Sequence, residues 1–319
     1  MSITIHDLAR IAGKDSSTVS RALRNDPRVK ESTRKMIRQL ADHYSYVPNL
    51  NARQLSNGKT GIIALLMGSL DAPLEKEAAM QLNAIFAEHN LTLMIISYAA
   101  NLEKLLPDRI AKLQQKICDA AIILAPSVNV TNDSLLHELR QISCPLVCLD
   151  RTFPGLDVPV VTTDNTLAMN TLAQMSLDAG MDGAVINLPS RSTVSHDRRV
   201  KLEKFLDLYN IPRIVADDIS NVPEFLKKHN IKYPAFFANS AKYAEDYVTV
   251  LPEKFITASF DREMPLGIKF NGPVFLCIQD YAKISEVAAQ IILEQLKSDR
   301  SKRKNPGIIE IPAADFLTL

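Results

Sequence analysis

The chain has 319 residues, which is enough for two or three structural units. Hydrophobic residues make up 46% and charged residues 23%, as in ordinary globular proteins, and no apolar run reaches the length of about 18 residues that a membrane span needs. The polar start MSITIHDLAR lacks the apolar segment of a secretory signal, so we expect a cytoplasmic protein.

The net charge of +1 conceals an uneven distribution along the chain. The first sixty residues contain 11 basic and five acidic side chains, whereas the remainder contains 26 basic and 31 acidic ones. A basic head on a mildly acidic body suits a polyanion-binding module joined to a second unit. Basic segments are also common on ordinary solvated surfaces, so charge alone does not assign a function.

Three short helices are predicted at the start of the chain. Apolar residues at helical spacing indicate a helix over residues 5–12, which Gly13 ends. Asp15 and Ser16 are both good N-cap types for a second helix, and a third helix fits Glu31–Tyr44. Two helices across a tight turn, braced by a third, predict an all-α helix-turn-helix headpiece over residues 1–47.

The outward face of the second predicted helix is polar and basic. Its residues are Ser16, Ser17, Thr18, Ser20, Arg21 and Arg24. Such a face suits contacts with phosphates and base edges in a DNA major groove. A polar surface helix without this function would have the same composition.

Residues 48–59 are predicted to form a hinge helix and linker. The run LNARQLSNGK permits about two helical turns, which are not stable alone in water. We therefore expect it to order against a second copy of the chain or against DNA. Leu55 has no local core to enter, and such a side chain can wedge between base steps in the minor groove.

The first sixty residues resemble the lactose/galactose-repressor (LacI/GalR) family. The similar run is TIHDLARIAGKDSSTVSRALRNDPRVKESTRKMIRQLADHYSYVPNLNARQLSNGKTGIIAL. It contains the T-I-x-D-[VL]-A opening, the A-G turn, T-V-S-R, and the Y-x-P-N-x-x-A-R-x-L-x-x-G end. The resemblance implies a sequence-specific DNA-binding regulator that works as a homodimer.

The same resemblance implies a role for particular residues. The positions implied at base edges are Ser16, Ser17 and Arg21. Those implied at phosphates are Thr4, Thr18, Ser20 and Thr33. Those implied in or beside the minor groove are Tyr46, Asn49, Ala52 and Leu55. Asp15 stands where the family often has serine or threonine, so it can cap the helix but would repel a phosphate.

From Gly61 the pattern changes to alternating apolar strands and amphipathic helices. The predicted strands are Ile62–Met67, Thr92–Ser97, Ala120–Ala125, Leu146–Leu149, Val160–Thr162, Gly183–Asn187, Ala235–Ala238, Phe255–Ser259 and Val274–Cys277. The predicted helices are Leu74–Glu88, Glu103–Gln115, Asn165–Asp178, Asp197–Tyr209 and Ala282–Leu296. This alternation predicts an α/β body with parallel sheets.

Residues 60–319 are predicted to form two lobes with a ligand cleft between them. The expected lobes are 60–159 with 280–300, and 160–279 with 305–319. In parallel sheets, ligands bind where the carboxyl ends of the strands meet. The body also resembles the family's sensor domain, which is similar to a periplasmic binding protein and carries a small ligand and the dimer contacts.

Five residues are candidates for contact with that ligand. The runs AFFANS and SFDRE resemble turns of the family and place Asn239 and Asp261 near the cleft. Asp150 lies in the run CPLVCLDR, which resembles the family's segment that crosses between the lobes. The family's sugar-clamping arginine has two possible positions here. Counting back along its motif gives Lys201, and counting forward gives Arg199. A structural or surface role remains open for each of the five.

The expected partners are double-stranded DNA, a second copy of the chain and a small effector such as a sugar, and the leading function is a repressor. A constitutive regulator with a degenerate sensor stays open, because Lys204 and Ser240 depart from the family pattern.

A solute-binding protein fits the body but not the headpiece. No catalytic motif is present and the four cysteines lack metal-ligand spacing, so we expect neither an enzyme, a cofactor nor a metal.

Overall fold

The computed structural model describes residues 3–47, 58–99, 101–190, 192–216, 218–261, 264, 270–299 and 303–319. The chain separates into two compact units, Met1–Thr60 and Gly61–Leu319. Within the described ranges, no helix has both the length and the apolar character needed to cross a membrane.

The first unit contains the three predicted helices. They are α1 (Ile5–Ala12), α2 (Ser16–Leu23) and α3 (Glu31–His43). One apolar cluster joins them, with Leu8, Val19 and Ile37 fully buried at its centre. Gly13 ends α1 in the left-handed region at φ 59°, where a side chain would be strained. The tight turn between the first two helices therefore depends on this glycine.

The second unit alternates strands and helices. The strands are β1 (Ile62–Met67), β2 (Thr92–Ser97), β3 (Ala120–Ile123), β4 (Leu146–Leu149), β5 (Val160–Thr163), β6 (Gly183–Asn187), β7 (Arg213–Val215), β8 (Pro234–Ala238), β9 (Ile256–Phe260), β10 (Val274–Ile278), β11 (Ile308–Ile311) and β12 (Asp315–Thr318). The helices are α4 (Pro73–Glu88), α5 (Leu102–Gln114), α6 (Asp133–Arg140), α7 (Asn165–Asp178), α8 (Thr193–Leu208), α9 (Val222–Lys228), α10 (Ala244–Tyr247) and α11 (Tyr281–Lys297). Two 3₁₀ turns cover Ile219–Asn221 and Ala241–Tyr243.

These strands form two sheets of six. The first has the order β11-β5-β4-β3-β1-β2 and is parallel throughout. The second has the order β12-β10-β9-β8-β6-β7, and only its edge strand β12 is antiparallel. Central strands such as β3 and β4 are buried along their whole length, as expected for sheets covered by helices on both faces.

The assignment of two strands to lobes differs from the sequence expectation. We expected residues after 160 and after 305 to lie in the second lobe, but β5 and β11 pair with each other in the first sheet. Helix α7 then packs in the second lobe and α11 in the first. The chain therefore crosses between lobes after β5, after β10 and after β11. Hydrophobicity marks a strand but does not say which sheet it joins, because that depends on long-range pairing.

Helix α8 also begins earlier than expected. We predicted its start at Asp197, whereas the structure starts it at Thr193. Ser192 is the reason, because its side chain accepts a hydrogen bond from the backbone N–H of Ser195 and caps the helix. The added turn brings Val194 and Ser195 to the lining of the cleft described below.

Candidate nucleic-acid interface and ligand cleft

The first two helices both begin at side-chain caps. The Thr4 hydroxyl accepts from the backbone N–H of Asp7 at 3.3 Å and donates to Asp7 Oδ2 at 2.6 Å. Asp15 Oδ1 accepts from the backbone N–H of Thr18 at 2.8 Å, so the expectation that Asp15 caps α2 is confirmed. Caps of this kind stabilise a helix by about 1 kcal/mol.

The carboxylate of Asp15 also binds two hydroxyl groups of α2. Ser17 Oγ donates to its Oδ1 at 2.6 Å, and Thr18 Oγ1 donates to its Oδ2 at 2.8 Å. The hydrogen bond from Ser17, followed by those from Thr18, holds the pKa of Asp15 well below its usual range. Asp15 is therefore a carboxylate at neutral pH, and both hydroxyl hydrogens point toward it.

The structure places most of the predicted DNA contacts on the surface of the first unit. The exposed ones are Thr4, Ser17, Arg21 and Arg24, and the half-buried ones are Ser16, Thr18, Ser20 and Thr33. Tyr46 instead packs against the apolar cluster, and this burial raises its pKa. The predicted contacts Asn49, Ala52 and Leu55, and most of the predicted hinge, lie outside the described residues.

A cleft of about 1240 Å³ lies between the two lobes of the second unit. Four of its polar side chains come directly after the last residue of a strand, namely Asp150, Asn239, Asp261 and Gln279. Because the carboxyl ends of parallel strands meet at one edge of a sheet, this placement brings residues that are distant in sequence into one site. Three of the four were predicted from the sequence. Gln279 was missed, although it follows a predicted strand just as the others do.

Arg198 is the central cation of this cleft. It is 4% exposed, and its guanidinium donates from Nε to Asn165 at 2.9 Å, from Nη1 to Asn239 at 3.0 Å and from Nη2 to Gln279 at 2.7 Å. The same group lies 3.4 Å from the ring centroid of Phe260. Amide oxygens and an aromatic face together satisfy a buried planar cation. The guanidinium thus ties Asn165, Asn239 and Gln279, which belong to the second lobe or to the segments next to a lobe crossing, to one point.

Two carboxylates accompany this cation. Asp261 accepts from the backbone and side-chain nitrogens of Gln279 at 3.2 and 2.8 Å. Burial raises the pKa of Asp261 to about 6. The hydrogen bonds from Gln279 and the charge of Arg198 lower this pKa, but their effect is smaller than that of burial. Asp150 is buried, and its Oδ1 has no hydrogen-bond partner among the described residues. Burial lowers the pKa of Arg198, and both carboxylates oppose that change.

The first-lobe wall of the cleft contains an ion pair. Arg151 Nη2 lies 2.5 Å from Glu75 Oε1, and Glu75 Oε2 accepts from the backbone N–H of Ser69 at 2.9 Å. Tyr281 is buried beside Asp150, and its pKa is raised by burial first and by that carboxylate second. The wall therefore presents polar groups that are largely fixed by one another. A polar ligand would meet a preorganised surface.

The two residues predicted at the position of the clamping arginine lie outside the lining of the cleft. Neither Arg199 nor Lys201 lines the cleft, and Arg198 does. Val194 and Arg198 are four residues apart and share one face of α8, whereas Arg199 is rotated away by about 100°. Lys201 lies nearly one turn farther along and binds Asp197 at 2.9 Å and Glu310 at 3.4 Å.

Comparison with known proteins matches the first of these two sites to a family. The model described as "Bacterial regulatory proteins, lacI family" matches residues 4–49, which contain α1, α2 and α3. Residues 4–49 therefore carry the helix-turn-helix of the LacI family.

Similar proteins cover different shares of the chain. The regulator DegA of Bacillus subtilis is 25% identical over 63% of this chain and 59% of its own length. The probable repressor ExuR of the same organism is 32% identical over 58% of this chain and 54% of its own length. The chain thus matches little more than half the length of these relatives.

The solved structure of the lac repressor dimer bound to operator and an anti-inducer covers 98% of this chain and 97% of its own. Its TM-score is 0.73 at 16% identity, so this likeness shows the fold alone. The predicted fold class, a helix-turn-helix headpiece followed by a two-lobed α/β body with parallel sheets, is confirmed.

Proposed function

We propose that this protein is a sequence-specific DNA-binding transcriptional regulator that represses by binding a pseudo-palindromic operator as a homodimer. The observation that carries the proposal is the three-helix unit matched by the family model, in which α2 exposes Ser17, Arg21 and Arg24. Arginine can bind guanine in bidentate fashion, and hydroxyl groups can reach base edges or phosphates. The relatives DegA and ExuR, named as a transcriptional regulator and a probable repressor, support the same assignment.

We further propose that a small polar ligand, such as a sugar or sugar derivative, binds the cleft and changes operator affinity. The cleft offers a buried cation, two carboxylates and several amides around an aromatic face, which is the mixture that binds hydroxyl-rich molecules. Such a ligand alters DNA affinity only if it prefers one arrangement of the lobes. A constitutive regulator without an effector is the second candidate, favoured by Ser240 at the position of the family's aspartate.

Selection of genomic DNA fragments by the purified full-length protein tests the DNA-binding proposal. We expect one enriched pseudo-palindrome, at a stated salt concentration because phosphate contacts make affinity salt-dependent. Uniform recovery of fragments would contradict the proposal. Titration of the complex with a panel of sugars and sugar derivatives then separates the inducible regulator from the constitutive one. Action in the cytoplasm stays a prediction.

A further inference from the structure

The hydroxyl group of Ser17 has a fixed hydrogen-bonding direction in this protein. A serine hydroxyl normally rotates, so that it can donate to an acceptor or accept from a donor. Here its one hydrogen is directed to Asp15 Oδ1 at 2.6 Å. Only the lone pairs of Ser17 Oγ remain for any group that approaches from solvent.

The neighbouring groups hold Asp15 in this position. Its Oδ1 also accepts from the backbone N–H of Thr18 at 2.8 Å, and its Oδ2 accepts from Thr18 Oγ1 at 2.8 Å. Both oxygens are thus bound to α2, and the carboxylate cannot turn without breaking the helix cap. Because a carboxylate only accepts hydrogen bonds, Ser17 and Thr18 must both be the donors.

Base edges in the major groove differ in what they offer to such an acceptor. Cytosine N4 and adenine N6 carry amino hydrogens, whereas guanine and thymine present only the acceptors N7, O6 and O4. Oγ of Ser17 can pair with an amino group and would be repelled by a lone pair. The adjacent negative charge of Asp15 adds to the same preference.

We propose that Asp15 is a specificity-determining positioning residue, which restricts Ser17 to reading the exocyclic amino group of a cytosine or adenine. The inference rests on the proposed function, because Ser17 meets a base only if α2 enters the major groove. Serine by itself carries no base preference. In this chain the preference comes from the residue that caps the helix.

Two substitutions at one position separate hydrogen-bond direction from charge. Asp15→Asn and Asp15→Ser both remove the negative charge, and both keep an N-cap residue. In Asp15→Asn the cap fixes the amide oxygen toward the backbone N–H of Thr18, where it can still accept from Ser17. In Asp15→Ser the shorter side chain caps the helix but releases the Ser17 hydroxyl, which then rotates and can donate.

The test uses full-length protein and DNA. DNA is selected from a randomised library with wild type and, separately, with Ser17→Ala. The base pair that Ser17 reads is the one at which wild type shows a sequence preference and Ser17→Ala does not. Duplexes are then made in which the cytosine or adenine of that pair lacks its amino group, or in which its purine lacks N7. Affinities are measured by fluorescence anisotropy at one salt concentration.

We expect removal of the amino group to weaken binding by about tenfold for wild type and for Asp15→Asn, and by less than about twofold for Asp15→Ser. Removal of N7 should leave wild-type affinity within about twofold. Equal sensitivity of Asp15→Ser and wild type to the missing amino group would overturn the inference, as would wild-type binding that depends on N7 instead. A wild-type protein without any sequence preference would instead overturn the proposed function itself.

Discussion

Replacing Arg198 by methionine tests whether one cation organises the ligand cleft. The guanidinium donates to three amide oxygens and balances the charges of the buried Asp150 and the half-buried Asp261. Methionine has a similar length and keeps apolar contact with Phe260, but it leaves those acceptors and charges without their partner. Removing one member of a buried charged network costs about 3–5 kcal/mol. We therefore expect the free energy of unfolding of the second unit to fall by about that amount.

Urea unfolding followed by far-ultraviolet circular dichroism measures this loss, since the chain has no tryptophan to report by fluorescence. Arg199→Met is the matched control, because Arg199 is next in sequence and its Nε has no hydrogen-bond partner among the described residues. We expect the control to change stability by less than about 1 kcal/mol. Equal losses for the two variants would refute the network described for Arg198.

Three further predictions follow from single groups. Burial in the folded state raises the pKa of Asp261 from 3.8 to about 6. The folded protein therefore binds a proton at Asp261 more tightly than the unfolded chain does. As the pH falls from 7 to 4, wild type should therefore gain about 2 kcal/mol of stability relative to Asp261→Asn. A constant difference between the two proteins in urea unfolding would contradict this. Leu8→Ala should lower the free energy of unfolding of the first unit by about 2–5 kcal/mol, because Leu8 is buried in its apolar cluster. The loss should appear as faster amide hydrogen exchange in residues 3–47. Unchanged exchange would show that Leu8 is not central to that core. Burial raises the pKa of Cys148 to about 11, whereas a hydrogen bond from Cys118 lowers the pKa of the half-buried Cys144. Iodoacetamide at pH 8 should therefore label Cys144 before Cys148, because the thiolate is the reactive form. Labelling in the reverse order would be inconsistent with both environments.

The headpiece could be predicted from sequence because its information is local. Helix spacing, the turn glycine at Gly13 and the cap residue Asp15 all act within a few positions of one another. What the sequence did not show is the direction of hydrogen bonds. The hydroxyls of Thr4 and Thr18 were predicted to face phosphates, yet each donates to a nearby carboxylate. Side-chain pairing of this kind depends on rotamers that a residue pattern does not contain.

The cleft could be predicted only in part, because its geometry depends on contacts across the whole second unit. Asp150, Asn239 and Asp261 could be placed because the runs that contain them resemble segments of the family, and each follows a strand in the structure. Arg198 was missed because the family's motif could be aligned only to Arg199 or Lys201, and neither alignment shows which face of α8 is turned toward the cleft. Gln279 joins Arg198 to Thr163 from a position 116 residues farther along the chain, and no local pattern reports such a contact.

The central claim, that the exposed face of α2 reads a specific DNA sequence, is tested most directly by competition binding. Full-length wild type and Arg21→Ala are compared on the fragment that genomic selection enriches and on a scrambled fragment of equal length. We expect wild type to prefer the enriched fragment by about 10³-fold or more, and Arg21→Ala to lose about 1–3 kcal/mol of that preference with little change on scrambled DNA. Equal affinity of wild type for both fragments, or full discrimination by Arg21→Ala, would contradict the account.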